Sequence, residues 1–462
     1  MSESGTAEIA KFGGREWAAV AASFLGWTLD AFDFFLMVFM FKAIATEFHT
    51  DIGKVVVAST LTLAARPFGA LVFGMAADAF GRRPVLMTNV VLYSLIELAS
   101  AFAPTLAILL MLRALFGFAM GGVWGVGASL ALESIPARAR GLISGLLQEG
   151  YAAGYLIASI VFFFLFDRIG WRGMFMVGAI PAVLAVFIQV FVRESPAFEA
   201  NRAIRPVRSP LFMLGLGAVA LAVAVGPATL GPALHVKTID WIYWIDAPLA
   251  LIGLWFFRKH WLTALYVIVL MTAFNFFSHG TQDLYPTFLQ KGQHLGTGPT
   301  GLITALGNVG AIAGGLLFGG LSERIGRRYA IVAAALLSLL VIPLWAYSHT
   351  VTMLALGAFA MQFMVQGAWG IIPVHLNELS PADMRGAFPG YAYQVGNLLA
   401  SGNAVWQVQL AEARHNDYSL AMAVVAGAAA IAIAAWTIFG PERRQTSFAA
   451  GPSPAGGQSS AL

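Results

Sequence analysis

One short stretch holds the densest set of groups that could do chemistry: Asn275, Ser278, His279, Gln282 and Asp283. The first four fall at i, i+3, i+4 and i+7, a continuous helical stripe, with Asp283 on its edge. On an otherwise apolar helix such a stripe must face protein or water rather than lipid. A histidine and a carboxylate both change charge with pH. The face can therefore hold a polar solute and also handle protons. Lone histidines are usually structural, but Gly280 and Pro286 beside so many polar groups argue for function here. His279 and Asp283 supply only two ligands, with no further histidine on a facing span at mid-depth, so no metal is expected.

A second set is charged and scattered through apolar runs: Asp30, Asp33, Arg66, Glu97, Arg113 and Glu149. Ionisable residues inside a bilayer are costly, which makes each a functional candidate. Asp30 and Asp33 share a helix face. Arg113 opens R-x-x-x-G-x-x-x-G with Gly117 and Gly121, small residues that let a partner helix come close. Asp33 and Arg113 are expected to form a buried pair whose acid accepts a proton, the alternative being a purely structural salt bridge. Arg66 either lines the path or snorkels, and Glu97 either functions or packs against a neighbouring helix.

The elements that must hold these groups follow from composition. The chain has 462 residues, 59% hydrophobic and 11% charged, with 49 Gly and no Cys. Soluble domains carry about 25% charged residues, so a water-facing surface of ordinary size is excluded. Apolar runs of spanning length lie near 17–41, 55–77, 84–103, 105–132, 141–166 and 173–192. After a polar linker, Arg193 to Ser209, come two more apolar runs, 210–230 and 241–257, the second weaker because Asp246 lies inside it and Asp240 just before it. Six more follow, near 261–289, 299–321, 329–347, 351–376, 386–410 and 418–439. The expected fold is an all-α polytopic membrane protein of fourteen spans. It divides into a six-helix bundle (1–192), a cytoplasmic linker with two extra helices (193–260), a second six-helix bundle (261–440) and a disordered cytoplasmic tail (441–462). The opening run is too long for a cleaved signal core and is expected to stay. Lys and Arg crowd alternate loops, which places both termini in the cytoplasm. The high pI, 9.3, thus reflects topology rather than a nucleic-acid partner.

The chain also repeats itself. GMAADAFGRR at Gly74 matches GGLSERIGRR at Gly319, and Glu133/Pro136/Arg140/Gly141 matches Glu378/Pro381/Arg385/Gly386, both at a shift of 245 residues. Joined, repeated bundles with a site between them are the mark of secondary transporters. Within the motif, Gly74, Asp78, Gly81, Arg82 and Arg83 could build a charge-linked clasp between helix ends, with Gly319, Glu323, Arg327 and Arg328 as its partner. Breaking and re-forming it would bias inward- and outward-facing states. The plainer alternative is that the arginines only set topology.

G-x-x-x-D-x-x-G-R-R between the second and third spans resembles the hallmark of the major facilitator superfamily. That resemblance covers essentially the whole chain outside 193–260. Asn275 to Thr287 is similar to the N-x-x-[ST]-H-x-[ST]-Q-D-x-x-x-T signature of the lactate/pyruvate:proton symporters. Pro389 to Leu398, with Gln394 and Asn397, resembles their eleventh span. Leu29 to Phe34 resembles the first-span motif of the wider sialate:proton symporter family, and the two extra spans resemble its bacterial sialic acid members. By this resemblance, Asn275, Ser278, His279, Gln282 and Asp283 serve substrate binding and proton coupling.

The expected function is proton-coupled symport of a short monocarboxylate, with no enzymatic activity and a proton gradient in place of any cofactor. Arg113, with protonated His279, would meet the carboxylate. Asn275, Ser278, Gln282, Gln394 and Asn397 would complete the substrate site. Asp30, Asp33, Glu149, His279 and Asp283 would carry protons. The 245-residue shift also aligns Glu149 with Gln394 and Asp30 with Asn275, so the first half is charged where the second is neutral. The expected partners are the acid, the proton and the lipid bilayer of the cell membrane, with a monomer sufficing. Sialic acid or another larger organic acid is the nearest alternative substrate, and a non-transporting sensor or scaffold the alternative of another class.

Overall fold

The computed structural model describes residues 9, 12–50, 52–200, 209–234, 236–285, 288–415 and 417–444. The tail beyond Arg444, the middle of the linker, and Pro286 and Thr287 of the polar stretch lie outside the described residues. Among the described residues every regular element is helical. The first half contains α1 (Gly14–Glu47), α2 (Ile52–Phe80), α3 (Arg82–Ala101), α4 (Leu106–Met120), α5 (Val123–Glu133), α6 (Arg140–Gln148), α7 (Gly150–Val177) and α8 (Ala182–Phe191). After the short α9 (Pro196–Ala200) come α10 (Pro210–Ala233), α11 (Thr238–Trp241) and α12 (Ala247–Ile252). The second half contains α13 (Trp261–Gln282), α14 (Thr297–Ile325), α15 (Arg327–Ala346), α16 (Val351–Trp369), α17 (Ile372–Leu379), α18 (Phe388–Ala400), α19 (Asn403–Glu412) and α20 (Tyr418–Ile438).

Eleven stretches among the described residues are long and apolar enough to cross a membrane, not the fourteen expected. Ile242–Gln282 is one run of 41 residues, joining the expected span at 241–257 to the one after it. Phe164–Phe191 likewise runs the end of the fifth expected span into the sixth. The expected span at 386–410 breaks between α18 and α19 at Ser401 and Gly402.

Large apolar side chains on the outside, such as Leu95, Phe164, Val186, Leu211 and Trp244, are exposed, whereas Asp30, Asp33, Arg66, Glu97 and Arg113 are buried. This inverts the soluble pattern and suits a hydrocarbon solvent. Within each half, glycine sets helix spacing. A Cβ on Gly69 would lie 1.8 Å from the Phe118 carbonyl oxygen, and one on Gly314 would lie 1.9 Å from that of Phe363. Gly117 and Gly121 press on the α2 backbone in the same way, at Thr62 and Arg66. This is the close approach that their spacing suggested.

Among the described residues the broadest contacts between the halves are α6 on α14 and α2 on α18, with α17 on α5 and α6, and α18 on α5, beside them. The central segment bridges the contact of α2 with α18. Its α10 packs on α2 and α4, while α12 packs on α18. On that side the Tyr391 hydroxyl donates to the Ala250 carbonyl, Phe257 stacks on Tyr391, and the Tyr243 hydroxyl lies 3.0 Å from Ser401 Oγ. Asp246, buried here, accepts from Trp241 Nε1 at 3.1 Å.

Candidate functional site

The polar stripe lies on the inner face of α13, and two connected cavities open against it. The larger has a volume of about 560 Å³, with walls that include Phe35, Phe39, Tyr151 and Tyr155 from one half and His279, Gln282, Asp283 and Asn397 from the other. The smaller, about 30 Å³, is lined by Arg66, Asn275, Ser278, His279, Tyr393 and Asn397, among others. His279, Gln366 and Asn397 line both.

Along the stripe each group has a distinct setting. His279 Nδ1 lies 3.2 Å from Asp283 Oδ1. Asn275 donates back to the Met271 carbonyl of its own helix. Gln282 is engaged across to α16, donating to Gln362 Oε1 at 2.8 Å, and Gln362 donates in turn to Thr281. Asn397 reaches both cavities from α18. Gln394, one turn earlier, lines neither, and its amide atoms are buried without a hydrogen-bond partner.

Arg113 and Asp33 do not form the expected ion pair. Arg113 Nη2 meets Glu97 Oε2 at 2.7 Å and Ser100 Oγ at 2.6 Å, beneath the rings of Phe116 and Phe175. It lines neither cavity. Arg113 stands on α4, which packs on α3, the helix that carries Glu97. Both Asp33 carboxylate oxygens are buried and lack a hydrogen-bond partner. Arg66 is the cation at the cavity instead. It pairs with Asp30 at 2.6 Å, while its Nε is buried without a hydrogen-bond partner. Glu149 lies outside both cavity walls, against Gly315 of α14.

Other cavity residues escaped the sequence reading: Tyr151 and Tyr155 on α7, and Gln362 and Gln366 on α16. Each pair is spaced i, i+4, so the same periodicity that exposed the α13 stripe could have found them.

The two copies of the loop motif hold the halves together at one end of the bundle. Asp78 accepts from the backbone N–H of Gly386 at 2.7 Å and of Ala387 at 3.0 Å. Glu323 accepts from that of Gly141 at 2.5 Å. Each acid also meets an arginine of its own motif, Asp78 with Arg82 and Glu323 with Arg327, both at 3.0 Å. Those arginines reach on to Glu133 and Glu378 respectively. Gly81 and Gly326 take φ values of +120° and +99°, a region open chiefly to glycine. The turns they make point the N–H groups of Arg82 and Arg83 at Glu194, and those of Arg327 and Arg328 at Glu442. Gly74 and Gly319 allow backbone contact across the halves, at Ala387 and Gly141. Beyond the spans, burial pushes the Glu194 carboxyl up and lowers Arg140 to about 10. Ser144 and Ser129 add hydrogen bonds to Gly370 and Arg385. The clasped end is therefore shut. The larger cavity includes Phe39, Tyr285 and Trp345, which lie toward the opposite helix ends.

The Major Facilitator Superfamily model matches residues 23–400 of the chain. A Saccharomyces cerevisiae protein named as a carboxylic acid transporter homolog is 27% identical over 94% of this chain and 70% of its own length. The sialic acid transporter NanX of Escherichia coli is 24% identical over 82% of this chain and 83% of its own. A solved proton:xylose symporter superposes with a TM-score of 0.68 at 16% identity, covering 94% of this chain and 98% of that one.

Proposed function

Since this chain belongs to the Major Facilitator Superfamily, a family of membrane transporters rather than enzymes, we propose that it carries a short monocarboxylate of the lactate or pyruvate type together with a proton. Transport proceeds by alternating access between two six-helix halves, 1–192 and 261–440, which we read as a repeat. The central 193–260 segment adds two helices, fourteen spans in all. The protein works as a monomer in the cell membrane with its clasped end and both termini in the cytoplasm.

The observation that carries this reading is the meeting of Arg66, Asn275, Ser278, His279 and Asn397 at one cavity. A guanidinium with an unpartnered Nε suits a carboxylate. Neutral amides and a hydroxyl suit the α-hydroxyl or keto oxygen. Arg66 thereby takes the place first given to Arg113, which stabilises α3 against α4. Gln282 and Gln394 support the site from its edge. The first half, with Asp30 and Asp33, does more of the proton work, and His279 with Asp283 serves both tasks. A proton bound with the anion makes the loaded carrier neutral, so reorientation moves no bare charge through low dielectric. An intact stripe and two intact clasps favour a carrier over a sensor or scaffold.

The test is uptake of labelled lactate into proteoliposomes, with and without an inward proton gradient. The gradient should raise accumulation. His279→Ala and Asp283→Asn should each alter its pH dependence. A second reading, sialic acid or another larger organic acid, is favoured by the larger cavity, whose volume of about 560 Å³ falls within the roughly 300–1,000 Å³ typical of drug-sized ligands. Gradient-driven sialic acid uptake without uptake of any monocarboxylate would establish it in place of the first.

A further inference from the structure

The interface between α6 and α14 contains a carboxyl group that neither the cavity nor the clasp uses. Gly141, Gly145 and Glu149 are spaced i, i+4, i+8 and form one face of the α6 region. A Cβ on Gly141 would lie 2.5 Å from the Gly319 carbonyl oxygen, and one on Gly145 would lie 2.4 Å from that of Gly315. These two turns are in backbone contact with the other half. On the third turn stands Glu149, whose Oε1 rests where a Cβ on Gly315 would be. The side chain is 5% exposed, and its Oε1 is buried without a hydrogen-bond partner.

The charged and titratable groups on the elements packed around it are engaged elsewhere or form no ion pair with it. On α14, Glu323 is held by Arg327, which also holds Glu378 of α17. On α5, Glu133 is held by Arg82, and on α1, Asp30 is held by Arg66. The side chains of Asp33 on α1 and His375 on α17 form no hydrogen bond. Arg140 of α6 turns back to the Leu132 carbonyl.

The opposite interface supplies an internal comparison. Gly386, in the turn before α18, and Gly390 and Gln394 on it repeat the same spacing, and Gly390 packs against Gly125 in backbone contact. There the third turn carries the neutral isostere, its amide atoms also buried and without a hydrogen-bond partner. An ionised carboxylate without a cation is far more costly to bury than either neutral group. The clasped packing therefore fits a protonated Glu149. Two turns of backbone contact, at Gly141 and Gly145, lie between it and the clasp, so its proton reaches that side when the halves part.

We infer that Glu149 is a latch: the halves close over it only when it is neutral, and it exchanges its proton with the clasped side of the membrane. It is not the proton transported with substrate, because a group that loads and unloads on one side moves no charge across. Cytoplasmic acidification would then favour return to the clasped state. This rests on the alternating-access reading but not on the identity of the solute.

Spin labels on cysteines at Arg138 and Ala382, exposed near the clasp in each half, report closure by distance without any substrate. The chain has no Cys to interfere. In the parent protein, the short, closed population should give way to a longer one as pH rises. Glu149→Gln should make the balance of short and long populations independent of pH, with both still visited and gradient-driven accumulation retained. Gln394→Glu, which places a second acid on the mirrored turn, should open the clasp at lower pH than in the parent. An unchanged pH response in both variants would overturn the latch. So would loss of accumulation in a folded Glu149→Gln protein that still visits both populations. Failure to take up lactate, with the distance response intact, would count against the substrate reading alone.

Discussion

Arg66→Lys keeps a charge for Asp30 but loses the planar fork that recognises a carboxylate. If about 1.5 kcal/mol of charge-assisted hydrogen bonding goes with it, KM for the acid should rise roughly tenfold. Thermal unfolding in detergent should change little. Arg113→Gln should do the reverse, leaving Glu97 buried without its partner at a cost of about 3–5 kcal/mol. KM in the surviving protein should stay near the parent value. The opposite pattern in uptake kinetics and melting would return carboxylate recognition to Arg113. The polar stripe was legible because Asn275, Ser278, His279 and Gln282 belong to one helix, whose period orders them without knowledge of anything else. Whether Arg113 meets Asp33 or Glu97 was not legible. That choice depends on how α1, α3 and α4 rotate against one another, and Arg66 belongs to no motif that would single it out.

Helix spacing offers a cleaner test than any charged group. Gly314→Leu would push a side chain into the α16 backbone at Phe363, where even a Cβ has no room. Overpacking of this kind costs about 1–3 kcal/mol, and the melting temperature should drop accordingly. Gly301 is the control on the same helix, since a Cβ there would meet nothing within 4 Å. Gly301→Ala should be neutral or slightly stabilising through helix propensity. Equal destabilisation by both would mean that glycine is not setting the spacing. Apolar length predicted where helices run, and α3, α15 and α20 match the expected spans to within a few residues. It could not predict breaks inside an apolar run, such as that between α16 and α17 at Gly370 and Ile371. A broken and an unbroken helix have the same hydropathy.

The clasp holds the two halves together at one end of the bundle. Asp78→Asn should weaken two charge-assisted hydrogen bonds to Gly386 and Ala387, each worth about 1.5–3 kcal/mol. In a Ser129→Cys background, labelling of this buried position by a water-soluble maleimide should then speed up roughly tenfold. An unchanged rate would mean that the clasp does not govern opening. The 245-residue shift pointed to both copies of the motif, but it did not reveal what each acid holds. Asp78 and Glu323 grip main-chain N–H groups of the opposite half, and every residue except proline presents the same one. The receiving side of this lock is constrained by size rather than by chemistry: a Cβ on Gly386 would lie 2.8 Å from Asp78 Oδ1, and one on Gly141 would lie 2.7 Å from Glu323 Oε1. A larger residue at either glycine would push the acid away without removing the N–H it holds, so rebalancing the carrier between its two faces would fall on positions 141 and 386 as well as on 78 and 323.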